Sequence, residues 1–241
     1  MPPDYLSAVD DEVSLIRYLG QQNATIQLTK SFRGLVLQQD VRVLEVNPDQ
    51  AAFRVSNIEM SAALEGNVYL HSQLFPKAVR ARFKSLDIRK GILILSGFAY
   101  SDIELKKRQY ERVRPKRPTY VTLHWKGKAQ RTCMENISAN GMGILAFKIF
   151  EKGMRLQPGS KVQLEFKLVP SPIYMALKGK IIYINTIDRY ITTIGMRLFP
   201  TARESRLLKE YIAPRKQDIL DELNQAYWEL MYPRGIDSLY F

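Results

Sequence analysis

The alternation of apolar and polar residues in Lys161–Leu168 constrains the fold of this 241-residue chain more than any other feature. A period of two buries one face of a β-strand and exposes the other. Shorter runs of the same kind are separated by Gly, Pro, Asn and Asp, which favour turns. The predicted strands are residues 24–28, 35–37, 41–46, 51–55, 68–70, 78–83, 91–98, 120–125, 130–137, 142–147, 161–168, 174–184 and 189–199.

These strands predict a mainly β protein, with a small all-β barrel or sandwich over residues 24–102. Two helices are expected in addition. The first covers Asp10–Leu19 and ends at Gly20, because acidic residues at its start are followed by apolar ones at helical spacing. The second covers Thr201–Met231 and is predicted to bend or break at Pro214. Its apolar stripe is expected to pack on its own barrel.

Charge divides the chain into two unlike halves. Residues 1–105 contain 11 Lys and Arg against 12 Asp and Glu, a net charge of −1. Residues 106–241 contain 25 against 12, a net charge of +13. A near-neutral half joined to a strongly basic half indicates two modules, of which the second meets phosphate.

Composition excludes several classes of function. Cys133 is the single cysteine and His71 and His124 are the only histidines, so we expect no disulfide, metal centre or other cofactor. Apolar runs such as Gly91–Leu95 are too short to span a membrane, and the start of the chain shows no secretory leader, so we expect a cytoplasmic protein. No group of residues assembles an active site, which favours a binding protein over an enzyme.

Two short motifs lie about twenty-four residues apart in the basic half. Arg108 and Arg112 are four residues apart within a segment, residues 106–117, that holds seven Lys and Arg. Their spacing places both side chains on one side of the backbone. Asn136 and Ser138 follow on one face of a strand, and Gly141 allows a close backbone approach. Arginine forks can bind guanine edges and phosphates, although a basic run taken alone usually forms a solvated face, a linker or a loose nucleic-acid contact.

The order RxxxR and then NxSxxG resembles the signature of PilZ domains, bacterial receptors for cyclic di-GMP. The resemblance covers residues 106–212, and the strand-rich N-terminal half is similar to that of two-domain, YcgR-like members of the flagellar-brake type. It implies two small β-barrels, the second a six-stranded antiparallel PilZ barrel followed by a C-terminal helix. The expected domains are residues 1–105, a basic linker at 106–118, and the PilZ barrel with its helix at 119–241.

The resemblance also implies a role for each motif residue. Arg108 and Arg112 would clamp guanine and phosphate, while Asn136 and Ser138 would hydrogen-bond the base. Gly141 would keep the turn open. Lys107, the residue before the first arginine, would influence how many ligand molecules stack. Many members carry a second glycine where this chain has Asn140, and asparagine tolerates the same left-handed backbone.

The expected function is therefore a cyclic di-GMP receptor in which ligand binding orders the basic linker and reorients two domains. Its partner would be a protein effector such as the flagellar motor, with roles in motility, adhesion or virulence. Two alternatives remain open at this stage. One is a basic β-barrel that binds RNA or DNA non-specifically through its cations and through Tyr110, Tyr120 and Trp125. The other is a PilZ adaptor that binds no ligand.

Overall fold

The structure is a computed structural model that describes residues 11–103, 105, 109–147, 156–169 and 173–232. The chain forms two compact units. The first contains residues 1–32, 36–108 and 220–241, and the second contains residues 33–35 and 109–219. These units cross the expected boundaries at residues 33–35 and at the end of the C-terminal helix, and the domain division at 105 and 118 stays a prediction.

Six antiparallel strands of the first unit close into a barrel in the order β1-β2-β3-β6-β5-β4. Apolar side chains alternate into its interior, where Phe53, Leu93 and Leu95 are fully buried. The strands are β1 (Thr25–Phe32), β2 (Leu35–Val46), β3 (Gln50–Val55), β4 (Asn67–His71), β5 (Ala78–Asp87) and β6 (Ile92–Ser101).

Two helices accompany the first barrel. Helix α1 (Glu12–Gln21) begins where the Asp11 carboxylate accepts a hydrogen bond from the Ser14 N–H at 2.6 Å, and it continues past the predicted stop at Gly20. Helix α2 (Ile58–Ala62) is a single short turn that the sequence did not predict. Residues 35–46 form one strand rather than the predicted two, because polar residues 38–40 continue the alternation instead of interrupting it.

Six strands of the second unit close into a barrel in the order β10-β11-β12-β9-β8-β7. The predicted alternation of Lys161–Leu168 is observed, with its apolar residues inside. The strands are β7 (Tyr120–Trp125), β8 (Lys128–Ile137), β9 (Gly141–Phe147), β10 (Lys161–Leu168), β11 (Ile173–Thr186) and β12 (Ile191–Leu198).

Helix α3 (Ala202–Met231) is one continuous helix that includes Pro214, so the proline does not break it and the predicted bend stays a prediction. Buried contacts on both sides of the proline hold it: Leu208, Tyr211 and Ile219 lie in the second unit. Leu223 belongs to the first unit and packs with Leu37 and Ala63, rather than on the second barrel as predicted.

None of the helices in the described residues is long and apolar enough to cross a membrane. The predicted mainly β fold of two barrels and a C-terminal helix is confirmed.

Candidate ligand-binding site

The β8–β9 hairpin carries the second sequence motif. Strand β8 contains an extra residue at Glu135, so the pairing shifts between Met134–Ile144 and Asn136–Gly143. Such a β-bulge bends its strand and redirects the side chains beside it. Asn136 therefore immediately follows the β-bulge, and Ser138 begins the turn that connects the two strands.

Ser138 closes this turn with two hydrogen bonds to one carbonyl. Its backbone N–H donates to the Gly141 carbonyl at 2.8 Å, and its hydroxyl donates to the same oxygen at 3.2 Å. The side chain is nearly inaccessible, at 2% relative exposure. The hydroxyl oxygen keeps its acceptor lone pairs. Ser138 thus fixes the shape of the turn, a structural role beyond the base contact that the resemblance implies.

Gly141 is required by close packing rather than by a left-handed backbone. A Cβ atom at this position would lie 3.2 Å from the Ser138 hydroxyl oxygen and 3.3 Å from the Met196 carbonyl oxygen of the neighbouring strand β12. Both separations are tighter than ordinary van der Waals contacts, and the carbonyl cannot move without distorting the sheet. The glycine of the motif therefore allows the turn and β12 to approach each other.

Asn136 presents an unsatisfied polar atom. Its side-chain oxygen Oδ1 is buried and has no hydrogen-bond partner among the described residues. The amide group lies over Gly143, where a Cβ would be 2.9 Å from Nδ2 and 3.1 Å from Oδ1. An unpaired buried acceptor costs about 1–3 kcal/mol, and native proteins rarely leave one without a function. Gly143 was not predicted as a site residue, because its position opposite Asn136 follows from strand pairing.

The basic segment is brought to this hairpin by backbone pairing. Val113 and Ile137 form an antiparallel bridge, with the Val113 N–H donating at 2.9 Å and the Ile137 N–H donating at 3.0 Å. Ile137 lies between Asn136 and Ser138, and Arg112 immediately precedes Val113. The structure therefore places the half-buried Arg112 beside the second motif. Lys107 and Arg108 lie outside the described residues.

Two further backbone contacts hold the residue after the bridge. The Arg114 N–H donates to the Arg33 carbonyl at 2.7 Å, and its carbonyl accepts a hydrogen bond from Nε of Arg215 at 2.8 Å. Gly34, at φ +94°, packs so closely that a Cβ would lie 3.0 Å from the Arg112 carbonyl oxygen. All of these residues belong to the second unit.

Helix α3 secures the same segment through charge. Lys216 donates to Glu111 at 2.6 Å, and Asp218 lies 3.7 Å from Lys116 and 3.6 Å from Arg215. The Arg215 side chain is only 4% exposed, although it lies on a mostly apolar stripe. Arg215 was not predicted as a site residue. The available signal was its position, four residues from both Tyr211 and Ile219, which places a charge where an apolar residue is expected.

Comparison with known proteins agrees with the two motifs. Residues 106–213 match the family model described as PilZ domain. No curated protein matches the chain. Among solved structures, the chain is similar to K. pneumonia MrkH in complex with c-di-GMP, at 11% identity and a TM-score of 0.47, covering 87% of this chain and 94% of MrkH.

Two other solved structures cover most of the chain. Escherichia coli YcgR in complex with c-di-GMP is 15% identical, with a TM-score of 0.45, and covers 88% of this chain and 92% of YcgR. The Bacillus subtilis inhibitor of motility, MotI/DgrA, is 14% identical, with a TM-score of 0.43, and covers 80% of this chain and 96% of MotI. The two motifs lie within the part of the chain that matches the model: residues 106–213 are similar to the PilZ domain.

Proposed function

We propose that this protein is a receptor for cyclic di-GMP. The pairing of Val113 with Ile137 carries the proposal, because it joins the end of the arginine motif to the NxSxxG hairpin. The family match to the PilZ domain supports the same function. The protein then acts by binding a signal and has no catalytic step of its own.

The residues at the hairpin suit the chemistry of a guanine nucleotide. Asn136 offers an unpaired amide oxygen, which can accept a hydrogen bond from the N–H groups of a guanine base. Arg112 offers a planar fork that pairs with phosphate or with O6 and N7 of guanine. Arg108 supplies the second fork, and Lys107 adjusts ligand stoichiometry. Ser138 and Gly141 hold the turn that presents Asn136.

Calorimetric titration with cyclic di-GMP tests this function, with Arg112→Ala as the decisive variant. Removing one partner of a desolvated, hydrogen-bonded charge pair costs about 2–5 kcal/mol, so the affinity should fall by more than about thirtyfold. Arg117→Ala is the matched control, because it removes an exposed arginine of the same segment outside the motif. Retained affinity in both Arg108→Ala and Arg112→Ala, with unchanged circular dichroism, would contradict the proposal.

The proposed output is a change in domain orientation that regulates a protein effector, of which the flagellar motor is one candidate. The domains are those expected from the sequence, residues 1–105 and 119–241, with the basic linker at 106–118 between them. Ligand phosphates would neutralise the like charges of the linker and favour a wrapped conformation. Small-angle X-ray scattering should show a ligand-dependent change in the radius of gyration that Arg112→Ala abolishes. An unchanged radius at saturating ligand would rule out this output.

A further inference from the structure

Three cations lie directly opposite one another on the outer face of the second barrel. Lys161 on β10 pairs in register with Lys180 on β11, and Lys180 pairs with Arg197 on β12. All three side chains are exposed, as is Lys178, two residues before Lys180 on the same face. The four residues Lys161, Lys178, Lys180 and Arg197 are named here the cationic face.

The cationic face is poorly neutralised by the protein itself. Like charges in directly opposed positions destabilise a sheet. No residue in the described part of the chain forms an ion pair with any of its three lysines. The nearest acid on β10 is Glu165, which already accepts a hydrogen bond from Tyr174 and lies 3.4 Å from His124. An anionic ligand would therefore relieve repulsion that the fold leaves in place.

Aromatic rings flank these cations. Phe199 is 52% exposed and follows β12, where its N–H donates to the Lys178 carbonyl at 2.9 Å. Trp125 ends β7, with the Lys126 ammonium 4.8 Å from its ring centroid. Between them lies a surface depression of about 620 Å³, lined by His124, Trp125, Lys161, Lys178, Lys180 and Phe199 among others.

We propose that the cationic face, with Phe199 and Trp125, binds single-stranded nucleic acid. Cations arranged on adjacent strands can neutralise several phosphates of one flexible strand, and the exposed ring of Phe199 and the partly buried ring of Trp125 can stack on unpaired bases. A paired duplex would bury its bases away from those rings, so the combination favours a single strand. The surface borders the proposed cyclic di-GMP residues at Arg197, which pairs with Gly141, and its three lysines give the chain a second ligand.

Fluorescence anisotropy of a labelled deoxythymidine single strand, of about twelve nucleotides, tests the proposal. The full-length protein should bind, and neutralisation of four phosphates gives a slope of about −3 for log affinity against log salt. The triple variant Lys161→Ala/Lys178→Ala/Lys180→Ala should reduce this slope to about −1. Phe199→Ala should weaken binding about tenfold through the loss of one stacked base.

A matched control distinguishes the effect of this surface from the effect of net charge. Lys84→Ala/Arg203→Ala/Lys209→Ala also removes three exposed cations, from β5 and α3, and should leave oligonucleotide affinity within about twofold. Equal losses in the two triple variants would overturn the proposal. So would equally tight binding of polyglutamate that Phe199→Ala does not affect, because an acidic peptide needs no base stacking.

The two proposed ligands are tested independently. Arg197 is left unchanged in the triple variant, because it pairs in register with Gly141 of the hairpin motif. Cyclic di-GMP affinity should therefore be unchanged in the triple lysine variant and lost in Arg112→Ala, while oligonucleotide affinity shows the reverse. Loss of cyclic di-GMP binding in the triple lysine variant would assign the cationic face to the dinucleotide site. It would overturn the proposal of a separate nucleic-acid site.

Discussion

The two barrels have the same strand connectivity and different chemistry. In each, the first three strands form a meander, the third pairs with the sixth, and the fourth closes the barrel against the first. The sequences of the two barrels showed no such correspondence. The shared connectivity therefore separates what the fold provides from what individual side chains add.

The correspondence extends to the hairpin between the second and third strands. In the first barrel this hairpin has an extra residue at Leu44, and the Asn47 N–H donates to the Gln50 carbonyl at 2.8 Å. In the second barrel the extra residue is Glu135, and Ser138 donates to Gly141 at the same 2.8 Å. Counting from the bulges aligns Glu45 with Asn136, Asn47 with Ser138, and Gln50 with Gly141.

The aligned side chains differ in whether their polar atoms have a hydrogen-bond partner within the hairpin. In the first barrel the Asn47 amide donates to the Glu45 carboxylate at 3.2 Å, so the two side chains bond each other. In the second barrel the Asn136 oxygen has no partner within the described residues. The same bulged hairpin thus contains a hydrogen-bonded polar pair in one barrel and an unpaired acceptor in the other. Function depends on the side chains placed on a common fold.

The largest expected effect comes from Phe53→Ala in the core of the first barrel. Removing this fully buried ring should lower the free energy of unfolding by about 3–5 kcal/mol, measured by denaturant titration. Cyclic di-GMP affinity, measured well below the unfolding transition, should be unchanged, because Phe53 packs only in the first core. A parallel loss of affinity would show that ligand binding depends on the packing of the first barrel.

Converting the second hairpin to the residues of the first should nearly abolish ligand binding. Asn136→Glu/Ser138→Asn replaces the open acceptor with a carboxylate that repels phosphate and that the new asparagine can satisfy. We expect about a hundredfold weaker binding of cyclic di-GMP by calorimetry, equivalent to about 2.7 kcal/mol. The reciprocal change, Glu45→Asn/Asn47→Ser, is the control and should leave the affinity unaltered. Undiminished binding in Asn136→Glu/Ser138→Asn would show that these two side chains do not determine ligand binding.

Much of this fold could be predicted from sequence because its signals are local. Alternation identified the strands of both barrels, and Lys161–Leu168 was correct in both bounds. The hairpin motif could be identified because its residues have fixed spacing. The shared connectivity could not be predicted, because the pairing of β3 with β6 joins residues that are distant in the sequence. The hairpin residues 45–50 also share no sequence pattern with those of the second barrel. Arg215 was missed because its partner carbonyl is 101 residues away.

Arg215 anchors the segment that pairs with the second hairpin through Val113. Arg215→Ala removes a charged donor from the Arg114 carbonyl and should lower the free energy of unfolding by about 1.5–3 kcal/mol. Cyclic di-GMP affinity should fall only a few-fold, because Val113 remains bridged to Ile137. Lys216→Ala, which removes an exposed ion pair between the same helix and Glu111, should cost less than about 1 kcal/mol. Equal effects of the two variants would show that Arg215 has no special positioning role.

The smallest expected effect is a pH dependence in the second unit. Burial raises the pKa of Tyr211 above its ordinary value of 10.0. The unfolded chain releases this proton first, so the stability present below about pH 10 should decline as pH rises towards the folded pKa. Tyr211→Phe should flatten that decline in urea titrations and change little at neutral pH, since the hydroxyl has no hydrogen-bond partner in the described structure. An unaltered alkaline decline would assign it to another group.

The bridge between Val113 and Ile137 also has a consequence for the entropy of binding. Ordering the backbone of one residue costs about 1–2 kcal/mol, and a ligand that had to order this part of the segment would lose that much affinity for each residue. Here two reciprocal hydrogen bonds already fix Val113, and two more hold Arg114. Folding itself therefore bears this share of the entropic cost. Arg112 is thereby tethered next to the hairpin, which raises its effective concentration there for the proposed ligand.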